Sequence, residues 1–226
     1  MNFFKKLFGG RQTKPEPTKT TSQPTQTKTT TQEKPQPASP PRKIPNGVPE
    51  IVTRYRENYK GQSLRKLNDL YFDIMEQLTA AEKKGDINNL LMHCQGSLGL
   101  LESLIKYNKM EYGSFDIKTI PALDKALIYF AINGNTGQLK NIQDIVNYFI
   151  ELHPYKEQVD IAFTRRDLAA NIYQYVKANP NCPQTDLKNN INCDDGRFIS
   201  TTVHYMEKAG KLTKKKEKNR IFLTVK

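Results

Sequence analysis

Tryptophan is absent from this chain, and histidine and cysteine are scarce, with three of each in 226 residues. The three cysteines, Cys94, Cys182 and Cys193, form no close pairs, which argues against a disulfide-stapled secreted domain and favours the reducing cytoplasm. No apolar run approaches the roughly 20 residues of a transmembrane helix. Residues 1–10 also lack the apolar core of a signal peptide. These absences favour a cytoplasmic binding protein.

Acidic residues are fewer than basic ones, 23 against 35, so the formal charge is +12. The excess lies at the two ends of the chain. Residues 1–47 and residues 161–226 are each strongly basic, whereas residues 48–160 are nearly neutral. A chain with two basic ends is expected to meet anionic partners there, such as nucleic acid or a membrane surface.

Residues 11–47 are predicted to be a disordered linker. This segment is rich in Thr, Pro and Lys and has almost no apolar side chains. It cannot bury enough surface to offset an ordering cost of about 1–2 kcal/mol per residue. Its prolines favour an extended chain.

Residues 1–10 form a short amphipathic tip ahead of this linker. In a helix, the four large apolar side chains share one face while two lysines point elsewhere: Phe3, Phe4, Leu7 and Phe8, with Lys5 and Lys6. One interpretation is peripheral contact of residues 1–8 with the anionic inner face of a membrane, which would be marginal and reversible. The other is that this tip docks on the body or on a partner protein.

Residues 48–160 show helical spacing of apolar residues and are predicted to be an all-α body. Four main helices are expected, with a fifth over residues 50–60 as an option. The first carries Leu67 to Leu78 and ends at Gly85. Asp86 caps the second, which carries Leu90, Cys94, Leu101 and Ile105 on one side. Pro121 opens the third, and the fourth follows residues 133–135.

An internal repeat is suggested at an offset of 49 residues, where Gly85 matches Gly134 and Leu90 matches Leu139. This pattern is similar to helical-hairpin repeats. Stacked hairpins make a surface for a protein partner or for a second copy of the chain. Residues 134–140 superficially resemble a phosphate loop but lack its Gly-Lys-Ser/Thr, so they are predicted to be an ordinary turn.

Residues 161–226 are predicted to be three helices followed by a β-hairpin. Thr164 and Asp167 form a capping box for the first helix. Residues 182–184 start the second helix, and residues 192–196 make a turn. The third helix ends at Gly210. Two strands, over residues 211–214 and 220–225, flank a lysine-rich tip over residues 215–219.

This order resembles the winged helix-turn-helix family. The residues that carry the resemblance are P-Q-T-D-L-K-N-N-I in the second helix and I-S-T-T-V-H-Y-M-E-K-A-G-K-L in the third, followed by T-K-K-K-E-K-N-R-I-F-L-T-V in the wing. The turn departs from the compact family pattern, because Asp194-Asp195-Gly196 is longer and acidic. The resemblance covers about a quarter of the chain.

In DNA-binding members of that family the third helix enters the major groove and the wing touches an adjacent groove or the backbone. The resemblance therefore implies that the outward face of the third helix contacts nucleic acid through Arg197, Ser200, Thr201, His204 and Lys208. On the wing it implies phosphate contacts by Lys214, Lys215, Lys216, Lys218 and Arg220. Five such contacts predict a salt slope of about −4.5.

Winged helices also serve as protein-docking modules, and Asp194 and Asp195 would repel phosphates. A zinc site formed by Cys182, Cys193 and His204 is not expected, because no compact Cys-x2-Cys pair exists. No nucleophile–base pair or cofactor loop accompanies the histidines, so no catalytic residue, metal or cofactor is predicted.

The sequence therefore predicts a non-enzymatic, bacterial-type nucleic-acid-binding protein with a regulatory role, DNA being favoured over RNA. The alternative is an adaptor whose body and winged helix bind only proteins while its tip holds it at a membrane.

Overall fold

The computed structural model describes residues 47–115 and 119–226, which are mainly helical with a small antiparallel sheet near the C-terminus. The body contains α1 (Glu50–Asn58), α2 (Leu64–Lys84), α3 (Ile87–Leu98), α4 (Leu101–Tyr112), α5 (Pro121–Ile132) and α6 (Thr136–Tyr148). A 3-10 turn, Ile150–Tyr155, leads into α7 (Lys156–Ala178). Then come β1 (Cys182–Pro183), a 3-10 turn (Gln184–Asp186), α8 (Leu187–Asn190), α9 (Gly196–Lys208), β2 (Leu212–Glu217) and β3 (Arg220–Val225).

The ends of α2 and the start of α3 follow the capping signals in the sequence. Gly85 ends α2 with a φ of 67°, a left-handed conformation that glycine adopts without strain. Asp86 caps α3, because its carboxylate accepts a hydrogen bond from the backbone N–H of Asn89 at 3.2 Å. Both predictions are confirmed, and α1 occupies the region of the optional fifth helix.

The single helix predicted from Leu90 to Ile105 is wrong, because α3 ends at Leu98 and α4 begins at Leu101. The break coincides with the approach of α1. The ring of Tyr55 lies against Gly99, and a Cβ built on that glycine would be 2.5 Å from Cδ1 of the ring. The hydroxyl of Tyr55 donates to the carbonyl of Gln95 at 3.0 Å.

The second predicted hairpin, α5 and α6, also follows its sequence signals. Pro121 is at the first turn of α5, and Gly134 in the connecting turn has a φ of 72°. The residues matched by the 49-residue offset occupy similar places, since Leu90 and Leu139 are both fully buried. However, α6 ends at Tyr148, ahead of the expected stop at His153, and Pro154 lies in the 3-10 turn.

The predicted capping box at Thr164 is wrong, because α7 starts eight residues earlier, at Lys156. Thr164 lies inside the helix, where its hydroxyl donates to the carbonyl of Asp160 at 3.0 Å. The hydrogen bond to the preceding turn gives the threonine hydroxyl a partner inside the helix, so Thr164 does not require a helix end. The predicted boundary between residues 160 and 161 therefore falls within α7.

The C-terminal sheet has the strand order β1-β3-β2, with all pairs antiparallel. Cys182 pairs with Leu223, so residues 182 and 183 form a strand and not the start of the second helix. In the hairpin, Glu217 pairs with Arg220, so residues 215–217 belong to β2 and only Lys218 and Asn219 form the turn. Asn181, the residue before β1, also contacts β3, since its side-chain carbonyl accepts a hydrogen bond from the Thr224 hydroxyl at 3.0 Å.

One helix, α7, contributes to the packing of both halves. Its first half buries Val159 and Ala162, and α5 and α6 contact this helix. Its second half enters a C-terminal apolar cluster, which consists of Ile132, Leu168, Ala169, Ile172, Val176, Cys182, Leu187, Ile191, Ile199, Val203, Met206, Leu212 and Leu223. Ile132 comes from the body helix α5, so the cluster includes residues from both sides of the predicted boundary.

No helix in the described part of the chain is long and apolar enough to cross a membrane.

Candidate nucleic-acid interface

The third helix of the predicted winged helix, α9, is fixed by an acidic cap and an apolar face. The carboxylate of Asp195 accepts hydrogen bonds from the backbone N–H groups of Arg197 and Phe198, at 2.9 and 3.0 Å. On the inward face, Ile199, Val203 and Met206 are buried at helical spacing, with Thr202 beside them. Because this stripe faces the C-terminal cluster, the opposite face of α9 is turned to solvent.

All five residues predicted on that outward face are exposed: Arg197, Ser200, Thr201, His204 and Lys208. Two of the hydroxyls are already engaged, since Thr201 donates to the carbonyl of Phe198 at 3.0 Å and Ser200 accepts from Gln184 at 3.4 Å. Arg197 forms no ion pair with any described residue. It is therefore the cation of this face that is free to meet an anionic ligand.

Lys208 lies on the same side of α9, four residues after His204, but its ammonium also approaches the body. Its ammonium lies 3.9 Å from a carboxylate oxygen of Glu82 in α2 and 6.0 Å from the ring centre of Tyr205. Glu82 also accepts hydrogen bonds from Lys125 and Tyr129. No local pattern indicates this contact, because Glu82 and Lys208 are far apart along the chain. Lys208 therefore belongs to the exposed face of α9 and also contacts the body.

The basic residues of the hairpin divide between its two faces. Leu212, Lys214 and Lys216 alternate onto one face of β2, and the ammonium of Lys214 lies 3.0 Å from Glu207 of α9. That contact identifies this face as the one turned to α9. Lys216 lies on the same face, two residues nearer the turn. Lys215 is on the opposite face and pairs with Glu217 at 2.8 Å, which raises the pKa of its ammonium.

Two of the five predicted phosphate-binding cations on the wing thus have carboxylate partners, Lys214 and Lys215. The other three form no ion pair within the described residues: Lys216, Lys218 and Arg220. Because a paired cation must leave its carboxylate before it can neutralise a phosphate, the available charge of the wing is smaller than the sequence predicts.

The acidic turn before α9 has a structural role that the sequence analysis did not assign. Asp195 is occupied as the cap of α9, so its charge is partly compensated by two backbone N–H groups and by the positive end of the helix. Asp194 is exposed. Of the two carboxylates expected to repel phosphate, Asp194 forms no ion pair with any of the residues that the structure describes.

Arg165 of α7 is a further cation of this region that no sequence pattern indicates, because its contact with α9 is made only in the folded chain. Its guanidinium carbon lies 5.0 Å from the ring centre of Phe198 in α9. Burial lowers the pKa of this guanidinium, and its Nε has no hydrogen-bond partner among the described residues. Arg165 thus contributes to the packing of α7 against α9 through its contact with Phe198.

In residues 47–115 and 119–226, no three His, Cys, Asp or Glu side chains come together in a way that could hold a metal ion. Cys182 is buried in the C-terminal cluster, and Cys193 is only partly buried. The predicted membrane or partner contacts Phe3, Phe4, Lys5, Lys6, Leu7 and Phe8 lie outside the described residues.

Comparison with known proteins gave no relative: no family model, no curated protein and no solved structure matches this chain.

Proposed function

We propose that the C-terminal part of this protein is a winged helix that binds duplex DNA, and that the protein is a non-enzymatic regulator of the cytoplasm. The element order supports this: α7, α8 and α9 are three consecutive helices, and the β2–β3 hairpin follows them. β1 adds a third strand to the hairpin through its pairing with β3. The order is the one that the resemblance to the winged helix-turn-helix family requires.

The observation that carries the proposal is the chemistry of the exposed face of α9. This face carries hydrogen-bonding side chains and no carboxylate: Arg197, Ser200, Thr201 and His204. The one acid of α9, Glu207, forms an ion pair with Lys214. Arginine binds guanine edges with two hydrogen bonds, and small hydroxyls reach bases or phosphates. Lys216, Lys218 and Arg220 supply free charge on the hairpin, which contacts α9 through β2.

Helix dimensions favour DNA over RNA. An α-helix with its side chains is about 10–12 Å wide, which fits the major groove of B-form DNA at about 12 Å. The major groove of A-form RNA is too narrow and deep for such a helix. If α9 is the reading element, the ligand is therefore duplex DNA.

The experiment is a salt series of DNA affinity on the full chain, measured by fluorescence anisotropy with a mixed-sequence duplex. Arg197 and the three free cations of the hairpin give four phosphate or base contacts, one of which is aimed at a base. Replacing Lys216, Lys218 and Arg220 by Gln should reduce the slope of log affinity against log salt by about 2.7. Three contacts correspond to a slope of about −2.7, which is shallower than the slope of about −4.5 that five contacts would give.

The matched control replaces three exposed lysines of the body, Lys60, Lys83 and Lys84, by Gln. This variant has the same net charge as the hairpin variant but leaves the hairpin intact. Equal slopes for the two variants would show that affinity depends on total charge and not on the hairpin. That result would overturn the DNA-binding proposal for the wing.

The helical body is proposed to bind a protein partner or a second copy of the chain. Its support is the exposure of three large apolar side chains of the body, Phe72, Met110 and Tyr112, which are 58–71% exposed. Phe72 and Tyr112 also line a cavity of about 230 Å³ together with Tyr71 and Tyr107. Sedimentation of the full chain across a concentration series separates the two partners. If the chain self-associates and Phe72→Ser abolishes the association, the body binds a second copy of the chain. If the chain is a monomer at every concentration, the partner of the body is a different protein.

The adaptor alternative is favoured by one observation, the pairing of Lys214 and Lys215 with carboxylates, which lowers the charge of the hairpin. In this second candidate function the winged helix and the body bind only proteins, and residues 1–8 hold the chain at the inner face of a membrane. Deletion of residues 1–10 should then release the protein from vesicles that contain anionic lipid. Equal vesicle binding with and without these residues would exclude the membrane contact.

A further inference from the structure

A cavity of about 370 Å³ lies where the body meets the C-terminal cluster. It is bounded by the turn after α5, by one side of α7, by Met206 of α9 and by Lys211, which precedes β2. Its volume is within the range of small-molecule sites, which are about 300–1,000 Å³. The residues proposed to contact DNA or a protein partner do not line it.

The walls of the cavity are mostly apolar and unusually small. Ala131, Ala169 and Ala170 supply three methyl groups where larger side chains would fill the space. Ala131, Ala169 and Met206 are buried and have almost no accessible surface, so Ala170, which is exposed, is the alanine that a ligand can reach. Tyr173 adds an aromatic side chain. Such a wall suits the apolar part of a ligand.

Three charged residues line the cavity, Arg166, Asp167 and Lys211, so its net charge is +1. Arg166 is largely satisfied: its guanidinium donates twice to Asp167 and once to Thr136, which uses three of five N–H donors. Lys211 is different. It forms no ion pair with a described residue, and burial lowers the pKa of its ammonium.

A partly buried ammonium without a carboxylate loses hydration and gains no compensating charge. An anion in the cavity would supply that charge, and the two remaining donors of Arg166 would add hydrogen bonds. We infer that this cavity binds a small organic monocarboxylate, with its carboxylate on Lys211 and its apolar body against Ala170 and Tyr173. The inference rests on the cavity alone and does not require the proposed DNA binding.

Three probes separate the parts of this inference: benzoate, benzamide and acetate. Benzamide has the shape of benzoate without its charge, and acetate has the charge without the apolar body. Binding to the full chain is followed by NMR through the methyl resonance of Met206 and those of the wall alanines. Benzoate should shift these resonances with an affinity at least about tenfold greater than that of benzamide or acetate.

The variant Lys211→Met keeps the length of the side chain and removes its charge, so benzoate affinity should fall about tenfold or more. Lys177→Met, an exposed lysine on α7, is the matched control and should bind benzoate like the wild type. If Lys211→Met fails to fold, Ala170→Trp serves in its place, because it fills the cavity from an exposed position.

Three results would overturn the inference. One is the absence of any shift with benzoate up to about 10 mM, a concentration that detects even millimolar affinity. Another is equal affinity for benzoate and benzamide, which would show that the negative charge of the ligand does not contribute to binding. The last is unchanged benzoate affinity in Lys211→Met or in the substitute variant Ala170→Trp.

Discussion

Lys218, at the turn of the β2–β3 hairpin, has a φ of 51°, in the left-handed region that side chains other than Gly, Asn and Asp rarely adopt. Turns of this kind favour glycine at that position. A lysine there costs about 1–2 kcal/mol in conformational energy. The proposed phosphate contact gives a reason for the cation at this position.

We expect Lys218→Gly to have opposite effects on stability and on DNA binding. The free energy of unfolding should rise by about 1 kcal/mol, because glycine adopts this φ without strain. DNA affinity should fall, and the salt slope should decrease by about 0.9. Urea unfolding and the anisotropy salt series measure the two effects.

Lys218→Asn is the control, since asparagine is uncharged and tolerates the left-handed region. It should lose DNA affinity to the same extent as Lys218→Gly. A stabilised Lys218→Gly with unchanged affinity would show that the turn lysine takes no part in binding.

At the scale of elements, the contact of α1 with the α3–α4 junction depends on the absence of a side chain at Gly99. Gly99→Ala should destabilise the protein by about 1–3 kcal/mol, because its Cβ would overlap the ring of Tyr55. Urea unfolding measures the change. Gly137→Ala in α6 is the control, since nothing lies within 4 Å of the added methyl.

Gly137→Ala should be neutral or stabilise by about 0.4–1 kcal/mol, through helix propensity and reduced freedom of the unfolded chain. Equal effects of the two substitutions would contradict the close approach of Tyr55. Tyr55→Leu combined with Gly99→Ala should recover part of the loss, because a smaller side chain leaves room for the methyl group.

The elements that the sequence predicted correctly are those defined by local signals. Gly85, Asp86 and Pro121 act through their own backbone or through residues three positions away, so their effect can be recognised in the sequence. The exposed residues of α9 were also predicted, because apolar spacing fixes which face is buried. The main predictions that were wrong involve distant partners.

Gly99 marks a helix break because of Tyr55, and Cys182 forms a strand because it pairs with Leu223. The carboxylates near Lys208 and Lys214 could not be predicted, because only the fold brings Glu82 and Glu207 to them, and the nucleic-acid contacts of both lysines stay predictions. Thr164 resembled a cap, although the threonine hydroxyl bonds equally well to the preceding turn inside a helix. In each case a nonlocal or alternative contact decided the outcome.

At the scale of the whole molecule, Glu82 of α2 links the body to α9. Burial opposes ionisation of Glu82, but hydrogen bonds from Lys125 and Tyr129 outweigh it, so the pKa of this carboxyl lies below its ordinary value of 4.5. A carboxyl with a lowered pKa stabilises the folded protein above its ordinary pKa. This contribution is lost as the pH falls through the lower, folded value.

We therefore expect Glu82→Gln to destabilise the protein at neutral pH and to do so less as the pH falls below about 4.5. Urea unfolding of the wild type and the variant at several pH values measures the difference. Glu76→Gln, an exposed acid on the same helix, should show little difference at any pH. A difference for Glu82→Gln that does not change with pH would contradict the ionised contact.

The shared helix α7 predicts that residues 47–226 unfold as one cooperative unit. Because the chain has no Trp and 11 Tyr, tyrosine fluorescence reports on tertiary packing, while far-UV circular dichroism reports on the helices. The two urea transitions should coincide. A fragment of residues 156–226 lacks Ile132 and exposes Val159 and Ala162.

The fragment of residues 156–226 should be markedly less stable than a chain of residues 47–226, and it should bind hydrophobic dyes. A cooperative transition at the same urea concentration for both would show that the C-terminal part folds independently of α5.

The sharing of α7 between the body and the C-terminal cluster also restricts how such a protein can evolve. A gene fusion that placed a different C-terminal part on this body would have to join the chains inside α7 or replace that helix entirely. Either event disturbs Val159 and Ala162 on one half of the helix or Leu168 and Ile172 on the other. The two ends of the described chain are therefore expected to be inherited together, and changes in the proposed DNA preference are expected to arise by substitution on α9 and the hairpin.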